Sequence, residues 1–130
     1  MVDISIIIVN YKVKDYIIPC IDSIYQTIND QISFEIIVVD NHSNDGSVEA
    51  IQGLFPKVIQ LHNNQNKGFS KGVNQGASQA NGEFIFILNP DTIIGEKCVE
   101  SLIKIIQNDS KIGAIGPRMV SEHGHTQLSY

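Results

Sequence analysis

The stretch Phe84-Ile85-Phe86-Ile87-Leu88-Asn89-Pro90-Asp91 joins an apolar run to a polar break that ends in a carboxylate. An uninterrupted apolar run of this length is typical of a strand that is buried on both faces, as in a parallel sheet. In open α/β sheets, ligands bind in the crevice at the carboxyl ends of the strands. The position of Asp91 therefore favours a binding role, although Asn-Pro-Asp also suits an ordinary strand–turn–helix connection.

Further apolar runs predict other strands, and segments with helical spacing separate them. Strands are predicted at residues 4–9, 34–39 and 58–61, and residues 112–115 could begin a fifth. Helices are predicted at residues 14–28, 47–54, 68–80 and 98–106. This alternation predicts an α/β fold: a Rossmann-like, mostly parallel sheet with helices on both faces. We expect a single domain over residues 1–130, because a chain of this length can bury its own core.

Each predicted strand ends in a polar residue, namely Asn10, Asp40, His62 or Asn89. The carboxyl ends of parallel strands meet at the same edge of a sheet, so these side chains should cluster there. Loops are usually polar in any case, but we favour the interpretation that this edge is a binding site.

The segment Val39-Asp40-Asn41-His42-Ser43-Asn44-Asp45-Gly46-Ser47 follows the second predicted strand. A carboxylate directly after a strand can accept hydrogen bonds from a ribose hydroxyl or a base N–H. We therefore interpret Asp40 as a ligand contact. For Asp45 we favour the alternative, that it caps the turn and the next helix.

Gly68, Gly72 and Gly76 recur every four residues and would form one smooth stripe on a helix. Each costs about 1 kcal/mol relative to alanine inside a helix, so close approach of the helix to the sheet or to a ligand is the expected compensation. The pattern is neither a P-loop nor GxGxxG. Lys67 and Lys71 can meet phosphate, but taken alone we interpret them as solvated.

Charge and composition exclude several classes of function. The net charge of −5 argues against a nucleic-acid partner held on a broad basic surface. No apolar run reaches the roughly 18 residues that a membrane span needs.

Cys20 and Cys98 lie in helical apolar patterns, which predict two buried free thiols. Two histidines and a glutamate within residues 122–125 could contact zinc, but zinc needs more ligands, and a glycine-containing turn explains them better.

Four ordered segments resemble the family 2 inverting glycosyltransferases. They are Ser5-Ile6-Ile7-Ile8-Val9-Asn10-Tyr11, Val38-Val39-Asp40-Asn41, Asn66-Lys67-Gly68-Phe69 and Leu88-Asn89-Pro90-Asp91. Residues 115–120, with Gly124 and Gln127, also resemble the rhamnosyltransferase-like subgroup of bacterial polysaccharide synthesis. The resemblance implies a GT-A fold, a nucleotide-diphosphate sugar donor, a glycan or lipid-linked acceptor, and a divalent cation, Mg²⁺ or Mn²⁺.

The resemblance also implies roles for single residues. The implied contacts to the donor nucleotide are Asn10, Tyr11, Asp40, Asn41, Asn66, Gly68 and Asn89. Asp91 is the implied metal ligand, at the second Asp of the family's Asp-x-Asp motif. Asn89 takes the place of the first Asp, so it can hydrogen-bond a hydroxyl but brings no charge.

Members of this family are considerably longer, and their second half carries the acceptor site and a carboxylate that serves as general base. Such a base must come within hydrogen-bond reach of the acceptor hydroxyl. We find no convincing candidate for it in this chain, where Glu122 lies close to the end. The chain therefore looks like the donor-binding part of a transferase.

Two other functions are considered. A non-catalytic nucleotide-sugar-binding or assembly module is the main alternative, and a nucleotidyltransferase is disfavoured because no Gly-rich triphosphate loop follows the first strand. We also expect a homodimer through apolar surface that the missing half would otherwise cover. The expected location is the cytoplasm, including the inner face of the membrane.

Overall fold

A computed structural model of the chain describes residues 1–127. The chain forms two compact units, which meet between Ile94 and Gly95 in the sequence. The first unit contains the sheet and the second begins at Gly95. The expectation of one domain over the whole chain stays a prediction.

The first unit is built around four parallel strands. They are β1 (Val2–Asn10), β2 (Phe34–Asp40), β3 (Ile59–His62) and β4 (Gly82–Leu88), and they lie in the order β3-β2-β1-β4. The connecting helices are α1 (Lys14–Thr27), α2 (Ser47–Leu54) and α3 (Phe69–Ala77). The predicted α/β fold with a parallel sheet is confirmed, and no predicted strand or helix end differs from the observed one by more than three residues.

The strand order reverses next to β1. The chain runs from β1 to β2 to β3 in one direction, and α3 then returns it to β4 on the other side of β1. Right-handed crossovers in opposite directions place α3 on the opposite face of the sheet from α1 and α2. The gap between the ends of β1 and β4 is therefore the switch point, where open α/β sheets bind ligands.

The core consists of the two central strands and the helix faces that cover them. β1 is buried from Ile4 to Asn10, and β2 is buried from Ile36 to Asp40. The α1 side chains that are buried recur at helical spacing: Ile17, Cys20, Ile21, Ser23 and Ile24. A central parallel strand is covered on both faces, which explains the continuous apolar runs in its sequence.

Two glycines let α3 lie unusually close to the sheet. A Cβ atom at Gly76 would come within 2.6 Å of Ile7 Cγ2, and one at Gly72 within 2.9 Å of Val9 Cγ1. The expected compensation for glycine in this helix is thus close contact with β1. Gly68 precedes the helix at φ +85°, a conformation that side-chain-bearing residues rarely adopt.

The second unit contains α4 (Cys98–Asn108) and a short hairpin-like turn. In that turn Gly124 N donates to Ser121 O at 2.8 Å, and Val120 forms an isolated antiparallel bridge with Thr126. The turn interpretation of residues 122–125 is confirmed. The predicted fifth strand at residues 112–115 is wrong, because this short stretch, which follows a turn, pairs with no strand among residues 1–127.

The thiol prediction is correct for one cysteine and only partly correct for the other. Cys20 is fully buried, whereas Cys98 is half-buried on α4, and both are free. None of the helices within residues 1–127 is both long and apolar enough to cross a membrane.

Candidate functional site

A buried polar network joins the ends of β1 and β2. Asn10 is completely buried, and its Nδ2 donates to Asp40 Oδ1 at 2.8 Å, Ser43 Oγ at 3.1 Å and Ser47 Oγ at 2.7 Å. Asp40 lies opposite Asn10 in the paired strands. One amide group therefore connects two neighbouring strands and the start of α2.

The hydrogen bonds fix the orientation of the Asn10 amide. The Ser43 hydroxyl donates to Asp40 Oδ1 and the Ser47 hydroxyl donates to Asp45 Oδ1, so both oxygens turn lone pairs toward Asn10. An ionised carboxylate only accepts, so the amide must present its NH₂ group to Asp40. Asn10 Oδ1, on the other side of the amide, is buried without a hydrogen-bond partner among residues 1–127.

Asp40 is 4% exposed and already accepts three hydrogen bonds. Two reach Oδ1, from Asn10 Nδ2 and Ser43 Oγ, and Ser43 N donates to Oδ2 at 3.1 Å. A carboxylate offers about four acceptor positions, so one on Oδ2 is left for another donor. The side chain predicted to contact ligand is thus mainly an internal acceptor, and its contact with ligand stays a prediction.

Asn41 continues the network toward α3. Its Nδ2 donates to Gly68 O at 3.2 Å, and its Oδ1 accepts from Asn63 Nδ2 at 2.9 Å. Asn66 Oδ1 accepts from Gly68 N at 2.8 Å and so shapes the turn into the helix. Asn41 and Asn66 therefore hold the loop that leads into α3 against the end of β2.

Asp45 caps two helices at once. Its Oδ1 accepts from Ser47 N at 3.0 Å, at the start of α2, and its Oδ2 accepts from Lys14 N at 3.1 Å, at the start of α1. Burial raises the pKa of this carboxyl, but the hydrogen bonds from Ser47 and Lys14 outweigh it and hold the pKa below its usual value. The capping interpretation of Asp45 is confirmed, and the carboxylate fixes both helix starts next to the network.

Tyr11 and Lys12 form the rim of the site after β1. The Tyr11 ring is 42% exposed, and Lys12 Nζ lies 5.3 Å from its centroid. Lys12 adopts φ +55°, and its N–H donates to Ser43 Oγ at 3.1 Å. Tyr11, one of the residues implied to contact the donor nucleotide, is thus accessible beside the network.

Residues 89–94 follow β4 and form the first part of its connection to α4. This segment, the Asp91 loop, lies across β1 from Asp40. Leu88 pairs with Ile8, so Asn89 leaves the sheet near the level at which β1 ends. Neighbouring strands lie about 4.8 Å apart, which puts β2 and β4 about 10 Å apart on either side of the switch point. Asn89 and Asp91 are exposed on this loop, in contrast to the buried Asn10 and Asp40.

The donor set on this loop fits a magnesium or manganese site that the ligand completes. Within residues 1–127, no three His, Cys, Asp or Glu side chains gather into a preformed metal site. Mg²⁺ is usually held by one or two carboxylates together with substrate phosphates and water. The exposed carboxylate of Asp91 is suited to that arrangement, and Asn89 offers a neutral oxygen two residues away.

Cys20 lies beneath this loop. Its Sγ donates to Asn89 O at 3.6 Å. The pKa of the thiol is raised to about 12. Burial is the main cause, the charge of Asp91 adds to it, and the Thr92 N–H acts in the opposite direction. The group is therefore a protonated donor at neutral pH and has no nucleophilic role.

A cavity of about 210 Å³ opens on the other side of Asp40, between the ends of β2 and β3 and the start of α2. Its walls are mainly polar side chains: Asp40, His42, Asn44, Asp45, Ser47, Glu49, His62 and Asn63. His62, which ends β3, lies on this wall and on the same edge of the sheet as Asp40. The predicted clustering of polar strand ends is confirmed for β1, β2 and β3.

The structure brings most of the predicted residues into one continuous network and leaves two separate. Asn10, Asp40, Asn41, Gly68 and Asn66 are connected by hydrogen bonds, whereas Asn89 and Asp91 lie beyond β1. Sequence reasoning did not assign Ser43, Ser47 or Asn63 to the site. In the sequence these residues showed only the composition of turns and helix starts. Their role in the network depends on Asn10 and Asn41, which are distant in sequence.

The strand order and the polar residues at the strand ends define the class: an α/β protein with the GT-A fold. The chain belongs to glycosyl transferase family 2, whose model matches residues 5–129.

Similar proteins agree with this assignment. Glycosyltransferase GlyG of Streptococcus pneumoniae serotype 4 is 31% identical over 116 residues, which are 87% of this chain and 38% of GlyG. The crystal structure of S. aureus TarS 1–349 in complex with UDP-GlcNAc superimposes with a TM-score of 0.74 at 24% identity, covering 82% of this chain and 31% of TarS.

A second solved structure shares the fold. The mannosyltransferase PcManGT from Pyrobaculum calidifontis, in complex with GDP-Man and Mn²⁺, superimposes with a TM-score of 0.71 at 21% identity. The alignment covers 79% of this chain and 32% of PcManGT. The chain thus spans about a third of the length of the relatives it matches.

Proposed function

We propose that this chain is the donor-binding part of a glycosyltransferase. The full reaction moves a sugar from a nucleotide-diphosphate sugar to a hydroxyl of a glycan or lipid-linked acceptor, with inversion, in cell-surface polysaccharide synthesis. The observation that carries the proposal is the switch point of a family 2 sheet, flanked by the Asn10–Asp40 network and the Asp91 loop. A rhamnosyltransferase is one candidate within this class.

The proposed roles follow from exposure and charge. Tyr11 offers an open ring face for the base, and Asp40 keeps one acceptor position on Oδ2 for a ribose or base donor. Asn41, Asn66 and Gly68 shape the wall along the nucleotide. This half of the site would orient the nucleoside.

The other half would hold the diphosphate. Asp91 would be a ligand of Mg²⁺ or Mn²⁺, and Asn89 would hydrogen-bond a ribose or sugar hydroxyl. A cation bound there neutralises the charge that develops on the departing diphosphate. No residue of this chain is proposed as the general base.

A non-catalytic nucleotide-sugar-binding or assembly module is the second candidate. It is favoured by the burial of Asp40, whose acceptor positions are mostly filled by the protein itself. A sugar-transfer assay with Asp91→Ala as control separates the two. Metal-dependent turnover that disappears in the variant excludes the module.

Calorimetric titration tests the shared claim of donor binding. UDP, dTDP and GDP sugars are titrated into the folded chain with and without Mn²⁺. We expect binding of at least one donor that is strengthened by Mn²⁺ in the unaltered chain and not in Asp91→Ala. A folded chain that binds none of these donors would contradict the proposal.

We also propose that the chain forms a homodimer and works in the cytoplasm, including the inner face of the membrane. Support for the dimer comes from β4, an end strand whose Ile85 and Ile87 are each 50% exposed. Unpaired edges with exposed apolar side chains favour strand addition. Sedimentation velocity should show a dimer that Ile87→Lys converts to monomer, and a monomeric unaltered chain would exclude it.

A further inference from the structure

One turn of α1 holds the loop that follows β4 at both of its ends. Cys20 and Ser23 are three residues apart, so they lie on the same face of the helix. Cys20 contacts the beginning of the loop, at Asn89, and Ser23 contacts its end, at Ile94. The exposed Asp91 lies between these two contacts.

Ser23 makes the stronger of the two attachments. Its hydroxyl donates to Cys20 O at 2.7 Å and accepts from Ile94 N at 3.1 Å. Both Ser23, at 7% exposure, and Ile94, at 5%, are buried. A buried backbone N–H that loses its acceptor costs free energy, so this bond fixes where the loop returns to the protein.

Cys20 fixes the beginning of the loop. Its Sγ donates to Asn89 O, the same oxygen that accepts the turn hydrogen bond from Thr92 N at 3.2 Å. The helix therefore contacts the turn that sets the direction of the Asp91 side chain. Pro90, with its fixed φ, further limits the conformations of this turn.

We propose that Ser23 and Cys20 are positioning residues for the cation site at Asp91, acting through the loop they hold rather than by contact with the ligand. The proposal rests on the proposed function, in which Asp91 binds a divalent cation. A single carboxylate on an exposed loop has few other restraints, and metal affinity depends on partners that orient the ligands. α1 would thus set the geometry of the cation and the diphosphate from behind the sheet edge.

The test compares Ser23→Ala with Thr27→Val in the whole chain. The Thr27 hydroxyl, one turn further along α1, donates only to Ser23 O, inside the same helix. Its removal therefore controls for the loss of a hydroxyl from α1 without touching the loop. Cys20→Ala is the second variant, and it removes the contact at the other end of the loop.

The first measurement is the affinity for Mn²⁺ in the presence of UDP or GDP. The electron paramagnetic resonance signal of free Mn²⁺ reports how much of the ion remains unbound. We expect Ser23→Ala to weaken Mn²⁺ binding by about tenfold, the lower end of the effect seen for residues that orient metal ligands. Cys20→Ala should change it in the same direction, and Thr27→Val by less than about twofold. Melting temperatures, measured alongside, should fall further in Ser23→Ala than in Thr27→Val, because the buried Ile94 N–H loses its acceptor. Mn²⁺ binding is therefore measured well below the melting temperature of every variant.

The second measurement needs no metal. Hydrogen exchange of the Ile94 amide should become faster in Ser23→Ala and stay unchanged in Thr27→Val. Equal Mn²⁺ affinities in the unaltered chain and Ser23→Ala, or unchanged exchange at Ile94, would overturn the positioning role alone. Absence of Mn²⁺ binding by the unaltered chain with either nucleotide would contradict the proposed function, and this inference with it.

Discussion

Asn10 is the residue on which the polar end of the sheet depends most. It is completely buried and donates to three acceptors on β2, the following loop and the start of α2. Buried carboxylates and hydroxyls need donors in place of the water they have lost. At the residue scale, one amide compensates several of these desolvated oxygens.

Replacement of Asn10 by alanine leaves Asp40 and two serine hydroxyls without their shared donor. Unsatisfied buried groups cost about 1–3 kcal/mol, so we expect Asn10→Ala to lower the free energy of unfolding by about 2–3 kcal/mol. Urea denaturation measures the free energy of unfolding of the variant and of the unaltered chain. Asn74→Ala, at an exposed position of α3, is the matched control. Equal stability of the two variants would show that the network contributes little.

Asp45 makes stability depend on pH in one direction. Its pKa is lower in the folded chain than the unfolded value of about 3.9. The stabilisation is therefore complete above about pH 4 and is lost as the pH falls through the folded pKa. Asp45→Asn should be less stable than the unaltered chain by about 0.3–1 kcal/mol at neutral pH. The amide brings no charge to the two helix starts, and its NH₂ group cannot accept the hydrogen bond that the second carboxylate oxygen accepts.

The difference between Asp45→Asn and the unaltered chain should shrink as the pH is lowered below about 4. Urea denaturation at several pH values measures this difference in the free energy of unfolding. Asp30→Asn, at an exposed turn, should differ from the unaltered chain by less than about 0.5 kcal/mol throughout. A difference for Asp45→Asn that grows toward acid pH would contradict the capping role.

At the scale of elements, the glycines of α3 oppose helix propensity and favour packing. Alanine in place of glycine contributes about 1 kcal/mol inside a helix, whereas overpacking a core costs about 1–3 kcal/mol. A Cβ at Gly76 would meet a buried, branched Ile7 side chain at 2.6 Å. The packing cost should therefore exceed the gain in propensity.

We expect Gly76→Ala to destabilise the chain by up to about 2 kcal/mol, the difference between these two effects. Gly53→Ala is the matched control, because a Cβ there meets nothing within 4 Å on the helix α2. That variant should be more stable by about 0.5–1 kcal/mol. Thermal and urea unfolding measure both, and stabilisation by both substitutions would show that α3 does not need its close approach to β1.

The elements were largely predictable because their signals are local. Continuous apolar runs predicted β1, β2 and β4, and helical spacing predicted α1 and α4. The expectation that β4 is buried on both faces was wrong, because β4 is an end strand whose residues alternate in exposure. The prediction of a short fifth strand was wrong because a stretch of four residues carries no information about a partner strand. Pairing is a long-range property, and an apolar stretch without it stays irregular.

At the scale of the whole molecule, the strand order decides where the site lies. β1 lies between β2 and β4, so the buried network of Asp40 and the exposed loop of Asp91 face each other across it. The sequence could predict that strand ends carry the functional residues. It could not predict that Asn10 would donate to Asp40 or that α1 would hold the Asp91 loop, because those contacts join residues 30 and 71 positions apart.

The central claim is that a nucleotide diphosphate binds at the switch point together with a divalent cation. The most direct test is a titration of the ¹⁵N-labelled chain with UDP and with GDP in the presence of Mg²⁺. Nuclear magnetic resonance records the amide shifts at each step of the titration. We predict the largest amide shifts at Tyr11, Asn41 and Asp91, at the carboxyl ends of the strands, and none at Ser33 or Asn81 at the opposite ends. Shifts centred on the opposite ends of the strands, or no shifts with either nucleotide, would contradict the account.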